Sequence, residues 1–183
     1  MDLEMTGLDP EKERIIEIAT IVTDGDLNIL EEGPSMVIHQ PTPLLKKMDD
    51  WNEKHHKKSG LFEEVQKSKT TVRKAEKKTL EFIKKYALPK KAVLCGNSVH
   101  HDRRFLIKYM PKIHEYLHYR LVDVSSIRSV IDRWYPKTKE SPEKKDRHRA
   151  MDDIRESIEE LRFYRKTYFK PRAAFSDRHL PIA

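Results

Sequence analysis

The residues that most constrain this chain are acids set far apart along it: Asp2 and Glu4 at the start, Asp102 in the middle, and Asp153 with His148 near the end. If they act together, the fold must lay the first strand against the last helix. Four carboxylates and a histidine in one pocket can bind two divalent cations and activate a water, which points to phosphodiester hydrolysis. Each piece alone is a weak signal. With 30 acidic residues among 183, an Asp-x-Glu triplet arises by chance about once. A second such triplet, Asp9-Pro10-Glu11, reads as a solvated turn because of its proline and polar neighbours.

Orientation sharpens the set. In a strand over Met1 to Met5, period-two alternation puts Asp2 and Glu4 on one face and Leu3 and Met5 on the other. Two anions on one face repel unless something cationic lies between them. A helix beginning near His101 aligns Asp102 with Phe105, Leu106 and Tyr109, while Arg103 and Arg104 point away. A carboxylate on an apolar stripe is costly unless it is paired or binds metal. In the last helix Met151, Ile154, Ile158, Leu161 and Tyr168 form the apolar stripe. At about 100° per residue Asp153 flanks it and Asp152 lies farther round, so Asp153 is the better ligand candidate.

Charge supports the same chemistry. Lysine and arginine number 37 against 30 acids, a net charge of +7. Were several acids neutralised by metal, the remaining surface would be more basic still, as suits a polyanionic substrate. Cys95 is the only cysteine, which excludes an intrachain disulfide and a cysteine-rich zinc site and favours a reducing compartment. It reads as a buried strand residue beside Val93 and Leu94. No apolar run reaches the length of a membrane span, and the charged first 17 residues do not resemble a secretory signal, so a soluble protein is expected.

The pattern predicts a single domain over residues 1–170 and a loosely held tail over 171–183 with Pro171 and Pro181. After the first strand come Ile15 to Val22, a turn at Asp24-Gly25-Asp26, then Leu27 to Leu30 and Met36 to His39, an antiparallel meander. Helices follow over Leu44 to Met48, Asp50 to His56 and Val72 to Tyr86, with Gly60 as a break. Strands Val93 to Gly96 and Tyr119 to Val124 then flank the Asp102 helix, and a helix over Ser126 to Trp134 comes next. Lys137 to Arg147 reads as a mobile polar loop ahead of His148. The expected fold is α/β, a mixed five-stranded sheet with helices on both faces. A central strand starting at Asp2 lacks its usual upstream half, the pattern of a shortened chain or a misplaced start.

Six ordered blocks resemble the oligoribonuclease family, the short-RNA exonucleases of the DEDD superfamily with histidine in the last motif. They are Asp2-Leu3-Glu4-Met5-Thr6-Gly7-Leu8, Gly96-Asn97-Ser98, Asp102-Arg103-Arg104-Phe105-Leu106, His118-Tyr119-Arg120, Asp123-Val124-Ser125 and His148-Arg149-Ala150-Met151-Asp152-Asp153. The resemblance implies a ribonuclease H-like fold, a homodimer and 3′→5′ release of 5′-mononucleotides from very short RNA. By motif, it makes Asp2, Glu4, Asp102 and Asp153 the ligands of two Mg²⁺ or Mn²⁺ ions, about 3.5–4 Å apart in such sites, and His148 the general base. It also implies that Leu8 and Trp51 wedge and stack bases, that Tyr119 and Arg120 reach the partner subunit's site, and that Ser98, Ser125 and Ser126 with Arg120 cap a 5′ phosphate. His56 is a possible substrate contact by the same resemblance, whereas His55 reads as exposed. His100 and His101 depart from the family pattern just before Asp102. The stretch from His55 to Leu61 and the stretch Asn97 to His100 look more like eukaryotic members, which are mitochondrial and cytosolic.

Two alternatives stay open at this level. A related exonuclease with the same metal chemistry would act on longer RNA or on DNA 3′ ends. A non-catalytic nucleic-acid-binding module would result if the short first strand no longer placed Asp2 and Glu4 for metal.

Overall fold

A computed structural model describes residues 1–135 and 149–170. His148, the loop over Lys137 to Arg147 and the tail 171–183 lie outside the described residues. Seven short strands and eight helices are assigned among those described. Strand β1 (Asp2–Met5) runs antiparallel to β2 (Ile15–Ala19), pairing Asp2 with Ala19, Leu3 with Ile18 and Glu4 with Glu17. Next in register are Met5 and Ile15, so Ile16 is an extra residue on β2. Such a bulge re-aims side chains, and here it sends Ile15 and Ile16 into two different core clusters.

The apolar run Ile15 to Val22 is interrupted at Thr20, giving β2 and then β3 (Ile21–Thr23). Its partner bends likewise at Gly33-Pro34-Ser35, giving β4 (Ile29–Glu32), paired with β3, and β5 (Met36–Val37), paired with β2. Leu27, expected to open β4, has φ 67° and belongs to the turn. Strands β6 (Leu94–Gly96) and β7 (Leu121–Asp123) form a parallel pair. The Met1 ammonium donates to the Cys95 carbonyl at 3.1 Å, tying the start of β1 to β6. The mixed antiparallel and parallel pairing that the sequence predicts is present, but among the described residues the strands pair as three pieces, β1-β2-β5, β3-β4 and β6-β7, rather than as one five-stranded ladder.

Helices α1 (Thr42–Leu45), α2 (Asp50–Lys58), α3 (Leu61–Lys67), α4 (Val72–Ile83), α5 (His100–Tyr109), α6 (Pro111–Tyr116), α7 (Val124–Trp134) and α8 (Ala150–Tyr168) pack around it. The sequence reading missed α3 and α6, helices of seven and six residues. Neither is long enough for its periodicity to stand out.

The main core joins Leu3 and Ile18 to Phe82 of α4, Phe105 and Leu106 of α5, Ile113 of α6 and Met110 at the junction of α5 and α6. Across the sheet, Ala19 and Ile21 pack on Ala150 and Ile154 of α8. Each fully buried Leu, Ile or Phe contributes about 1.5–3 kcal/mol, and this two-sided burial fixes which face of β1 meets α8. The acids of β1 therefore have no freedom to turn away from it.

Candidate active site

Alternation on β1 sends Leu3, 4% exposed, into the main core and leaves Asp2 and Glu4 half-buried on the α8 side. Asp153 lies in the first turn of α8. One carboxylate oxygen from each of Asp2, Glu4 and Asp153 falls within 4.8 Å of the others. The neighbouring Asp152 points elsewhere, accepting a hydrogen bond from Arg155 at 3.0 Å. Asp102, 4% exposed on α5, accepts the Leu3 backbone N–H at 2.8 Å and so stands at the edge of β1 beside the cluster.

The acids strain against one another. Burial, followed by repulsion from Asp102, Glu4 and Asp153, pushes the Asp2 carboxyl well above its ordinary range, and the Met1 ammonium only partly offsets this. Glu4 is raised to about 8, first by burial and then by Asp153 and Glu17. Asp102 rises to about 7 through burial, although the Leu3 N–H bond and the Met1 ammonium favour its charge. Four carboxyls brought together in this way need protons or a cation as counter-charge. An all-oxygen donor set of this kind suits a hard divalent cation such as Mg²⁺ or Mn²⁺.

A second acid cluster adjoins the first. Glu17, directly across from Glu4 and only 1% exposed, accepts bonds from Arg149 Nε and Nη2 and from the Ala150 backbone N–H at 3.1 Å. The same guanidinium grips Glu64 of α3 at 3.0 and 2.9 Å. Burial works against the charge of Arg149, but the bonds and charges of Glu17 and Glu64 outweigh it and push its pKa up. Glu17 thus satisfies the first N–H of α8, a group without a partner inside the helix. The sequence reading assigned no role to Glu17 or Arg149; the signal was one acid at the centre of the apolar run Ile15-Ile16-Glu17-Ile18-Ala19.

The proposed substrate residues fall into separate groups. Leu8 and Trp51 are each 57% exposed, and Trp51 stacks on His55 at 3.9 Å. Arg104, across from the Leu8 loop, donates to the Leu8 carbonyl at 3.4 Å. His56 is 2% exposed and its Nε2 lies 3.0 Å from the Met5 carbonyl, so its ring lines the end of β1 from within. Ser98, held at φ 47°, presents its N–H to Asp123 and to the Ser125 hydroxyl, both at 3.0 Å, and its own hydroxyl donates to that of Ser125. Ser126 is exposed on α7. Tyr119 is 72% exposed and stacks on His118, while Arg120 Nε donates to the Tyr119 hydroxyl at 3.1 Å.

One detail differs from the sequence reading. Cys95 is exposed, because alternation on β6 turns Leu94 and Gly96 inward instead. Among the described residues no helix is long and apolar enough to cross a membrane.

Comparison with known proteins points the same way as the geometry. The exonuclease family RNase_T matches residues 1–161. An oligoribonuclease of Haemophilus influenzae strain PittGG is 55% identical over 170 residues, 93% of this chain and 93% of its own length. One from Actinobacillus pleuropneumoniae serotype 5b is 56% identical over 169 residues, 92% and 91% of the two chains. A third, from Acinetobacter baylyi, is 51% identical over 169 residues, 92% of each.

Proposed function

This chain belongs to the oligoribonuclease family of exonucleases, and from that premise we propose that it cuts dinucleotides and similarly short RNA to 5′-mononucleotides at Asp2, Glu4, Asp102 and Asp153. It is a 3′→5′ exoribonuclease that depends on divalent metal. The observation that carries the site assignment is the convergence of Asp2, Glu4 and Asp153 within 4.8 Å, with Asp102 against β1 beside them.

Bound there, a pair of Mg²⁺ or Mn²⁺ ions supplies a nucleophilic water and charge stabilisation for the leaving 3′ oxygen. The four carboxylates hold the ions at the junction of β1, α5 and α8. His148, four residues after Lys144 and directly before Arg149, takes the proton of the attacking water as general base.

Substrate length follows from the remaining groups. Leu8 and Trp51 receive bases by stacking, a contact worth about 1–3 kcal/mol per base and tolerant of sequence. Ser98, Ser125 and Ser126 with Arg120 close on the 5′ phosphate, which leaves a longer strand no path. His56 buttresses the substrate side of β1 through the Met5 carbonyl.

Tyr119 and Arg120 complete the site of a second subunit, so the active unit is a homodimer. Their exposure supports this reading, as does an apolar cavity of about 350 Å³ where Trp134, 73% exposed, and Phe169, 54% exposed, meet Val130 and Tyr168. We place the enzyme's work inside the cell, in the cytoplasm or the mitochondrion, where short RNA arises.

Hydrolysis of a 5′-phosphorylated RNA dinucleotide, run beside a 20-mer RNA and a DNA dinucleotide with Mg²⁺ and with chelator, tests this function. The expected result is rapid, metal-dependent cleavage of the RNA dinucleotide alone. Equal rates on the 20-mer or on DNA contradict the substrate assignment, and undiminished turnover in chelator contradicts the metal site.

A further inference from the structure

Glu4 and Glu17 are direct cross-strand partners on the face that α8 covers. Their Cβ atoms therefore start about 4.5–5.5 Å apart. Glu17 is nearly inaccessible to solvent, and its charge is among those that raise the Glu4 carboxyl. By residue type, face and depth it is as good a cation ligand as Glu4. What separates the two is their partners: Glu4 faces Asp153, whereas Glu17 faces Arg149 and the backbone of Ala150.

We propose that Arg149 is a positioning residue that commits Glu17 to capping α8 and so withholds a fifth carboxylate from the cations held by Asp2, Glu4 and Asp153. The proposal rests on the metal-site reading above. Both oxygens of Glu17 are engaged, Oε1 by Nη2 of Arg149 at 3.0 Å and Oε2 by Nε and the Ala150 N–H at 3.2 and 3.1 Å. Glu64 anchors the other side of the guanidinium, so the fork cannot swing away from Glu17 without breaking bonds on both sides.

The consequence is chemical as well as structural. Mg²⁺ wants six oxygen ligands and must keep positions for water and for substrate phosphate. A fifth carboxylate would take one of those positions and set an extra negative charge against an anionic substrate. Arg149 removes that competitor while the bond from Ala150 sets the first turn of α8, which carries Asp153. A guanidinium is the group for this task, since its planar fork serves two carboxylates at once and it stays charged when partly buried.

The test uses the full chain with Arg149→Met, with Arg149→Met combined with Glu17→Gln, and with Arg149→Lys. Glutamine at position 17 keeps an acceptor for the Ala150 N–H but no charge. Mn²⁺ binding is read by calorimetry without substrate, kcat and KM on the RNA dinucleotide, and folding by a cooperative melt. We expect Arg149→Met to bind Mn²⁺ at least as tightly as the parent yet lose at least about tenfold in kcat/KM on the RNA dinucleotide, through a raised KM as well as a lower kcat. Adding Glu17→Gln should return most of that loss, and Arg149→Lys should fall between parent and Arg149→Met.

A merely structural role predicts otherwise: both Arg149→Met proteins bind Mn²⁺ more weakly, and the second substitution recovers nothing. That outcome overturns the proposal. If Arg149→Met does not fold, Arg149→Lys with and without Glu17→Gln gives the same comparison, recovery supporting the proposal and its absence rejecting it. The metal-site reading fails separately, if the parent shows no Mn²⁺ binding that Asp153→Asn removes.

Discussion

Two groups of acids lie side by side at the α8 face of β1 and β2, and they are solved in opposite ways. Around Glu17 the chain supplies its own counter-charge: Arg149 spans Glu17 and Glu64, and the helix N–H of Ala150 completes the cap. Around Asp2 and Glu4 the described neighbours that shift their charge are chiefly further acids, Asp102, Asp153 and Glu17, and the Met1 ammonium offsets them only in part at Asp2. A structural carboxylate is paired within the protein. The Asp2, Glu4 and Asp102 carboxyls are instead raised, first by burial, as the proposed holders of an external cation would be without it.

The largest way to break this contrast is to remove charge from the group around Asp2 and Glu4. Asp153→Asn or Asp102→Asn should lower kcat by more than about 10³-fold, because metal-borne charge stabilisation is worth several kcal/mol. RNA binding should persist. In chelator the same variants should melt higher than the parent, since each substitution relieves repulsion. Loss of activity together with a lower melting temperature in chelator would mean that the acids are structural like Glu17.

His148→Ala comes next, with a loss of about 10² to 10⁴ in rate and unchanged Mn²⁺ affinity, as for a positioned general base. If Mn²⁺ binding fell along with the rate, His148 would be a ligand. Arg120→Lys should be milder, about tenfold weaker in dinucleotide binding, because a lysine cannot reproduce the bidentate grip on phosphate. Shared sites make a further demand: subunits bearing Asp153→Asn and subunits bearing Arg120→Ala, each poor alone, should regain activity when mixed. No recovery after confirmed subunit exchange would rule out a contribution in trans.

Much of this contrast was legible in the residue order. Period two on β1 set Asp2 and Glu4 against Leu3, and helical phase distinguished Asp153 from Asp152, as the Arg155 partner of Asp152 shows. The apolar stripe of α5 carried Asp102 inward with Phe105 and Leu106. What could not be read was the pairing of Glu17 with Arg149, 132 residues apart. Nothing local marks which acid in an apolar strand will find an arginine. The break at Thr20 is likewise hidden, since one polar residue in a mainly apolar run does not show where two strands diverge, and Cys95 is exposed despite its apolar neighbours because alternation on β6 decides its face.

The central claim is that the cluster at β1 and α8 is short of a cation, and the melting temperature measured from pH 6 to 8.5 in chelator and in Mn²⁺ tests it most directly. Acids whose folded pKa lies above the unfolded value bind more protons in the folded state, so the metal-free protein loses stability as pH rises toward the values near 7 and 8 of Asp102 and Glu4. For a domain of this size each kcal/mol lost lowers the melting temperature by about 2–4 °C. We expect a fall of several degrees in chelator across that range, and Mn²⁺ to abolish it, with its largest stabilisation at the highest pH. A melting temperature that stays level in chelator, or one that Mn²⁺ fails to raise at pH 8.5, would contradict the account.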